Sequence, residues 1–504
     1  MEIFLNEGER SGQTRLDLVE FYRILPGISF CWKGNDMCDK SNLKGLLGAW
    51  LILLIVPAVS FAGKIIYVDD DGPADFNNIQ AAINDANDGD TIIVADGTYI
   101  GEGNRDIDFL GKAITVRSEN GLQSCVIDCN GTEQDPHRGF YFHSREDTNC
   151  VLDGFTILKG YAPEEEFYGY IWSLGGAIYC NESGPIIRNC LIKENHASMA
   201  GGGVFSWRSG PALRNCIFNG NSAYIGGGVC SSGGVINNCV FSGNKAIQGG
   251  GVFCHSSDEI RTAANGQDGA SGENEILPLG SSDGRFSQTI INSTFIGNKA
   301  SSKGMGVFCS GFTDTLISNC IVWGYGVLEG DEIPLVFVSC DSSLSVRHSD
   351  VQGGQASIGC GCDERCHLDW GPGNMDADSC FAKAGYWDPN GTPNDANDDF
   401  WVDGDYHLKS QAGRWDPNSQ SWVKDDVTSL CIDAGDPVSP IGLEPFPNGG
   451  IINMGAYGGT IEASKSYFGE PICETIVAGD INGDCIVNLK DFALMAYHWL
   501  EDNR

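Results

Sequence analysis

Positive charge is scarce in this chain of 504 residues: 31 Lys and Arg stand against 67 Asp and Glu, a formal net charge of −36. Nucleic acids and anionic membrane surfaces both need a basic footprint, so the balance argues against them as partners. A surplus of carboxylates suits calcium instead. A membrane span is lacking too. The apolar run Leu46–Val59 and its neighbours amount to about fourteen to seventeen residues, short of the ~20 that a spanning helix needs. The 21 cysteines form no obvious zinc pairs, and charged residues make up only 19% of a chain with 68 glycines. That composition leaves room for one extended solenoid and a small module.

What the sequence does have is a repeat. GGAIYCNESGPIIRNCLIKENHA from Gly175, GGGVFSWRSGPALRNCIFNGNSA, GGGVCSSGGVINNCVFSGNKA, GGGVFC…IINSTFIGNKA and GMGVFCSGFTDTLISNCIVWG are five copies of one unit across 175–326. Asn189, Asn215, Asn238, Asn292 and Asn319 mark its phase. The single wide step, between Asn238 and Asn292, is one period plus an insertion over 255–286. The period is too short for helical hairpins and lacks a leucine-rich consensus, but it fits one coil of three short parallel strands. The first strand falls at Gly-Gly-Gly-Val-Phe and the second at the Ile187, Leu213, Ile236, Ile290, Ile317 column. The third points Ile192, Phe218, Phe241, Phe295 and Val322 inward. The fold class is therefore all-β, a right-handed parallel β-helix. Asparagine tolerates the left-handed conformation needed at the bend between the second and third strands. At the ~4.8 Å strand spacing, those five side chains are expected to bond one another in a ladder.

The architecture resembles the pectate-lyase-like superfamily. The GGA[IV] and FxxN signatures, GGAI at 175, GGGV at 201, FNGN at 218, FSGN at 241 and FIGN at 295, resemble the polymorphic outer-membrane-protein repeat. The first resemblance implies polysaccharide-degrading enzymes and the second a surface adhesin. Shape alone does not choose between them.

In chain order, Lys40–Ala62 reads as a signal peptide: Lys40 and Lys44, an apolar stretch, then Ser60-Phe61-Ala62. Residues 1–39 are an atypical extension, and Met37 would give a leader of ordinary length. The β-helix is expected over 63–460. It opens with an amphipathic helix that plugs the cylinder, with Asp75 as its cap and Ile79, Ala82, Ile83 and Ala86 on one face. Cys431–Gly459 is expected to form the last coil and cap. Residues 461–474 are a linker and 475–504 a separate module. Cys190, Cys216, Cys239 and Cys320 form one column with Ser293, and Cys180, Cys254 and Cys309 form another with Ser206 and Ser231. Serine in register argues for small buried side chains over bonded ones. Cys360, Cys362, Cys366 and His367 lie within eight residues, where disulfides are expected in an exported chain and a metal is the alternative.

The tail carries the most specific motif. In GDINGDCIVNLKDFALMAYHWL, Asp480, Asn482, Asp484, Ile486 (through its carbonyl), Asn488 and Asp491 stand at positions 1, 3, 5, 7, 9 and 12 of a calcium loop. It resembles a type I dockerin repeat, which implies a cohesin-like partner. The chain has one such loop. Asp128, Asp153 and His143 are explained by strand and turn packing. The candidate ligand face follows from the repeat register: Trp207 and Arg208 after the Gly-Gly-Gly-Val strand, with Glu166, Tyr168, Tyr170, Trp172 and Tyr224 flanking it. Exposed aromatics there would stack on sugars while Arg208 meets an acidic group. The leading reading is an exported, bacterial-type, secreted or cell-surface β-helix protein. It binds polysaccharide, a cell-surface glycan or another surface partner, and has no transmembrane helix in the mature chain. The alternative is a polysaccharide lyase or glycoside hydrolase.

Overall fold

Each coil of the chain turns three corners and lays one strand on each of three long parallel sheets. The computed structural model describes residues 63–167, 170–208, 210–256, 286–324, 333–361, 365–392, 398–469, 479, 481 and 487–501. The first sheet has nine strands and contains the Gly-Gly-Gly-Val segments. The second has eleven, from Ile65–Val68 to His367–Trp370, and the third has nine. Every pairing within them is parallel, as a β-helix requires. Four coils add an unexpected fourth strand, at His196–Ala200, Ser222–Ile225, Lys245–Gln248 and Lys299–Lys303. There the segment after each FxxN turn stays extended until the next Gly-Gly. The leader and the insertion residues 257–285 lie outside the described residues.

The inward columns are those the periodicity marks. Ile187, Leu213, Ile236, Ile290 and Ile317 pair in register and are buried. Phe218, Phe241 and Phe295 stack with centroids 4.7 Å apart and planes 3° from parallel. Burying each such ring stabilises the fold by roughly 1.5–3 kcal/mol. The helix α1 (Ile79–Asp85) sends Ile79, Ala82 and Ile83 into the same core. Its cap is Asn78, whose side chain accepts the Ala81 N–H, and not Asp75, which accepts from the Tyr67 N–H. The helix simply begins three residues later than the Asp75 cap implies.

The five marker asparagines do adopt left-handed backbones, with φ between 46° and 54°. They do not form the ladder. Only one rung joins them, Asn215 Nδ2 to Asn189 Oδ1 at 3.2 Å, and it is exposed. Asn238, Asn292 and Asn319 bond other groups, Asn238 reaching the Ala456 and Gly458 carbonyls. The ladder runs instead through the asparagines that end Ile192–Asn195 and the three FxxN stretches: Asn195, Asn221, Asn244 and Asn298, each nearly or fully buried. The first three Nδ2 groups donate to the next Oδ1, and all four donate to a carbonyl of the coil behind. Burial decides the matter. At the exposed corner water competes for the amides, whereas in the interior an unpaired amide is costly and the ladder satisfies it.

The cysteine columns are packing. Cys190, Cys216, Cys239 and Cys320 are buried free thiols, as are Cys180, Cys254 and Cys309. Cys216, Cys239 and Cys320 donate to the carbonyls of Ile187, Leu213 and Ile290. Cys360 and Cys366 form a disulfide.

Cys431–Gly459 is not a last coil. From about residue 375 the chain leaves the solenoid and folds back along the outside of the third sheet. Phe381, Trp401, Tyr406, Leu408, Cys431 and Met454 cluster there with Val240, Ile296 and Ile321. Trp401 lies over Gly243 and Gly297, where an added Cβ would sit 2.3 Å and 2.2 Å from its side chain. Trp387 donates to the Gly297 carbonyl and lies beneath the ammonium groups of Lys245 and Lys299.

Candidate functional site

The outer faces of the three sheets differ in what covers them. The third lies under the returning segment. The first carries an outward aromatic column, Tyr179, Phe205, Phe253, Phe308 and Phe337, that is itself buried. Aromatics on the outward side of a sheet expose large apolar areas unless something packs on them. The hairpin of Glu164–Phe167 and Tyr170–Ser173 does part of that work.

This overturns the aromatic part of the candidate ligand face. Trp172 is 7% exposed and Trp207 is 2% exposed, both within that apolar cluster. Trp207 stacks on His255, whose ring is held by the Ser206 and Ser256 carbonyls and whose pKa burial pushes down to about 4. Arg208 lies 3.7 Å from Glu182. Glu166 is exposed on the hairpin and Tyr224 on the fourth sheet. Tyr168 lies outside the described residues, and Tyr170 is placed in its strand by backbone alone. The residues assigned to one face are thus divided between a core and a rim. Asp128, Asp153 and His143 are paired with Lys159, Arg188 and Asp108, consistent with packing.

Among the described residues, the second sheet keeps exposed side chains on its outer face. Its outward positions form rows across successive coils. One row runs Arg117, Asp153, Arg188, Arg214 and Asn237 in strict register. Arg188 and Arg214 are exposed, and Asp153 bridges Arg188 Nε at 2.9 Å while accepting from Asn189. Among the described residues Arg214 forms no ion pair. Toward the C-terminal end the rows become Asp314–Ser343–His367 and Leu316–Ser345–Asp369, with Arg347 beside them. They line a groove of about 290 Å³. Asp369 accepts from Arg347 Nη2 and from the Ser345 hydroxyl, both at 3.0 Å. The Arg347 guanidinium, and then that hydroxyl, hold its carboxyl below the usual range. Sequence reading passed over this region because the Gly-Gly and Asn markers stop there. The alternation of Leu344 with Val346, and of Leu368 with Trp370, is the signal that the second sheet continues.

Of the calcium loop, Asn488 and Asp491 are described, and Asp480, Asn482, Asp484 and Ile486 lie outside the described residues. Asp491 opens helix α2 (Leu489–Glu501) and is 2% exposed. Its two carboxylate oxygens accept the Ile481 and Asn488 N–H groups at 2.8 and 2.7 Å, which turns the group back toward the loop. A buried carboxylate at that position is the oxygen-donor type that calcium takes. Among the described residues no helix is long and apolar enough to cross a membrane.

A family model described as disaggregatase related matches residues 385–435, inside the returning segment. No curated protein matches the chain. Among solved structures, the pectate lyase Pel9A aligns over 78% of this chain and 96% of its own, at 14% identity and a TM-score of 0.38. The chain is therefore similar in part to that family and distantly to this solved protein, and its parallel β-helix stands on its own strand registers.

Proposed function

We propose that this is an exported polysaccharide-binding β-helix protein, and that an acidic polymer lies along the open face of the second sheet. The observation that carries the reading is the row Arg117, Asp153, Arg188, Arg214, on a face that, among the described residues, lies outside the two outer apolar clusters. Arginines one coil apart stand at the ~4.8 Å strand spacing. Their planar guanidinium groups accept carboxylates bidentately, which lysines do not. In a chain of net charge −36, two adjacent exposed arginines form a local exception. The leader over 40–62 exports the chain. The tail binds calcium through Asp480, Asn482, Asp484, the Ile486 carbonyl, Asn488 and Asp491, and offers its helix to a cohesin-like partner.

Affinity electrophoresis of the protein in gels containing polygalacturonate, alginate or neutral xylan tests the reading. Retardation by the acidic polymers, weakened at least about tenfold in Arg188→Ala/Arg214→Ala, supports it, since one lost charged hydrogen-bonding partner costs about 1.5–3 kcal/mol. Equal retardation of the variant would remove the arginine row from the function.

A further inference from the structure

Away from the sheet faces, the returning segment holds a histidine between two carboxylates. His407 lies on the strand Asp405–Leu408 with its side chain 2% exposed. Its Nδ1 is 2.5 Å from Asp405 Oδ1, and its Nε2 is 3.3 Å from Glu462 Oε2. An ionised carboxylate only accepts, so serving both at once takes a hydrogen on each ring nitrogen, which the imidazolium alone has. The neutral ring can donate to one carboxylate and turns a lone pair toward the other.

Each stretch packed around this ring brings its own polar groups. Arg414, on Arg414–Asp416, donates to Asp405 Oδ2 and to Asp425 Oδ2, both at 3.2 Å. Lys383, opposite Asp405 on the paired strand, is exposed. Asp403 accepts from the Tyr406 hydroxyl. Tyr457 stacks on the imidazole with ring centroids 3.6 Å apart. Burial works against a charge on His407, but the bonds to Asp405 and Glu462 outweigh it and raise its pKa above the ordinary value. Tyr457 also links this cluster to the solenoid, because the carbonyls on either side of it, of Ala456 and Gly458, are the two that Asn238 holds.

We propose that His407 is a pH-sensitive latch: protonated, it ties the strand Asp405–Leu408 to residues 457–464 and so helps seat them on the solenoid, and deprotonated it releases them. The sign follows from the direction of the shift. The latch's contribution is fully present below the ordinary histidine value of ~6.5 and is lost as pH rises through the higher folded value. Either carboxylate, once facing the lone pair, is left in a buried place without its donor, which favours the open arrangement.

Two measurements on the full chain test the latch. In protein carrying isotope-labelled histidine, NMR follows the His407 ring as pH is raised. Its resonance is identified by its absence in His407→Gln or, if that variant fails to fold, by its shift in Glu462→Gln. It should titrate above ~6.5 in the parent and at lower pH in Glu462→Gln. A parent midpoint at or below the ordinary value overturns the proposal. The second measurement is subtilisin cleavage within 457–464, normalised at each pH to the denatured chain. It is made in a Glu444→Gln background, because burial pushes that carboxyl on the same segment up to about 7. From about pH 6 to about pH 9 cleavage should rise roughly 10- to 100-fold, the equivalent of one charged hydrogen bond, since proteolysis follows the open population. Adding His407→Gln should give fast cleavage at both pH values. No rise with the histidine present, or the same rise without it, would show that His407 latches nothing.

Discussion

Asn221 gives both its backbone N–H and its side-chain amide to Oδ1 of Asn244, each at 3.0 Å. One oxygen of one coil thus holds two donors of the coil before it. Asn244 repeats the arrangement with Asn298. Replacing Asn244 by Ala strands the two Asn221 donors in the interior and should cost about 2–4 kcal/mol, by the price of two unsatisfied buried groups. Asn215→Gly, at the exposed rung where glycine accepts the left-handed backbone, should stay within about 0.5 kcal/mol of the parent. Denaturant midpoints at constant m-value separate the two.

Gly297 has φ +62° and no room beside Trp401. Gly297→Ala should therefore lift the returning segment from the third sheet without unwinding the coils. The expected outcome is faster proteolysis within 385–435 and an unchanged far-ultraviolet β signal. Equal proteolysis rates would mean that the indole is not what holds the segment down.

Burial pushes Glu444 up to about 7 and Asp433 up to about 6. Glu444 Oε1 accepts the Asn453 and Gly459 N–H groups, while Oε2 has no partner. Both folded pKa values lie above the unfolded ones. Their stabilising contribution is thus fully present near pH 4 and is lost as pH rises through 6 and 7. Glu444→Gln should make the protein more stable than the parent by roughly 1–3 kcal/mol at pH 8 and leave it little changed at pH 4. Thermal melts at the two pH values read the difference.

The buried thiols should not react with a thiol reagent in the native state. Burial raises the pKa of Cys190, Cys216 and Cys230 well above the ordinary value, so the thiolate that reacts is both hidden and rare. Ellman titration before and after denaturation should show these groups appear only on unfolding. Their prompt reaction in the folded protein would contradict the closed interior.

The solenoid was legible because its constraints are local and repeated. Val204, Leu213 and Phe218 recur at one phase, and each must face a core one coil thick. The ladder was read one corner away from where it lies, since Asn215 and Asn221 repeat equally well and only burial tells them apart. Trp172 and Trp207 were misread for a related reason. Outward periodicity puts a residue outside the cylinder, but not in water, and another segment had come to lie on that face. The groove of Asp314 and Asp369 was missed because it needs register across three strands whose marker residues are gone. Nothing within any single stretch brings those carboxyl groups together.

The returning segment changes what kind of polymer this protein is. A stack of coils that touch only their neighbours unfolds like a one-dimensional chain, able to fray from either end. Here Asn238 bonds Gly458 across 220 residues of sequence, Thr294 accepts the Ala456 N–H, and Asn319 accepts the Asp436 N–H. Three coils are stitched to one strip that none of them could hold alone. Its seat is made of those coils together, so its contacts couple their stabilities and favour their melting as one block.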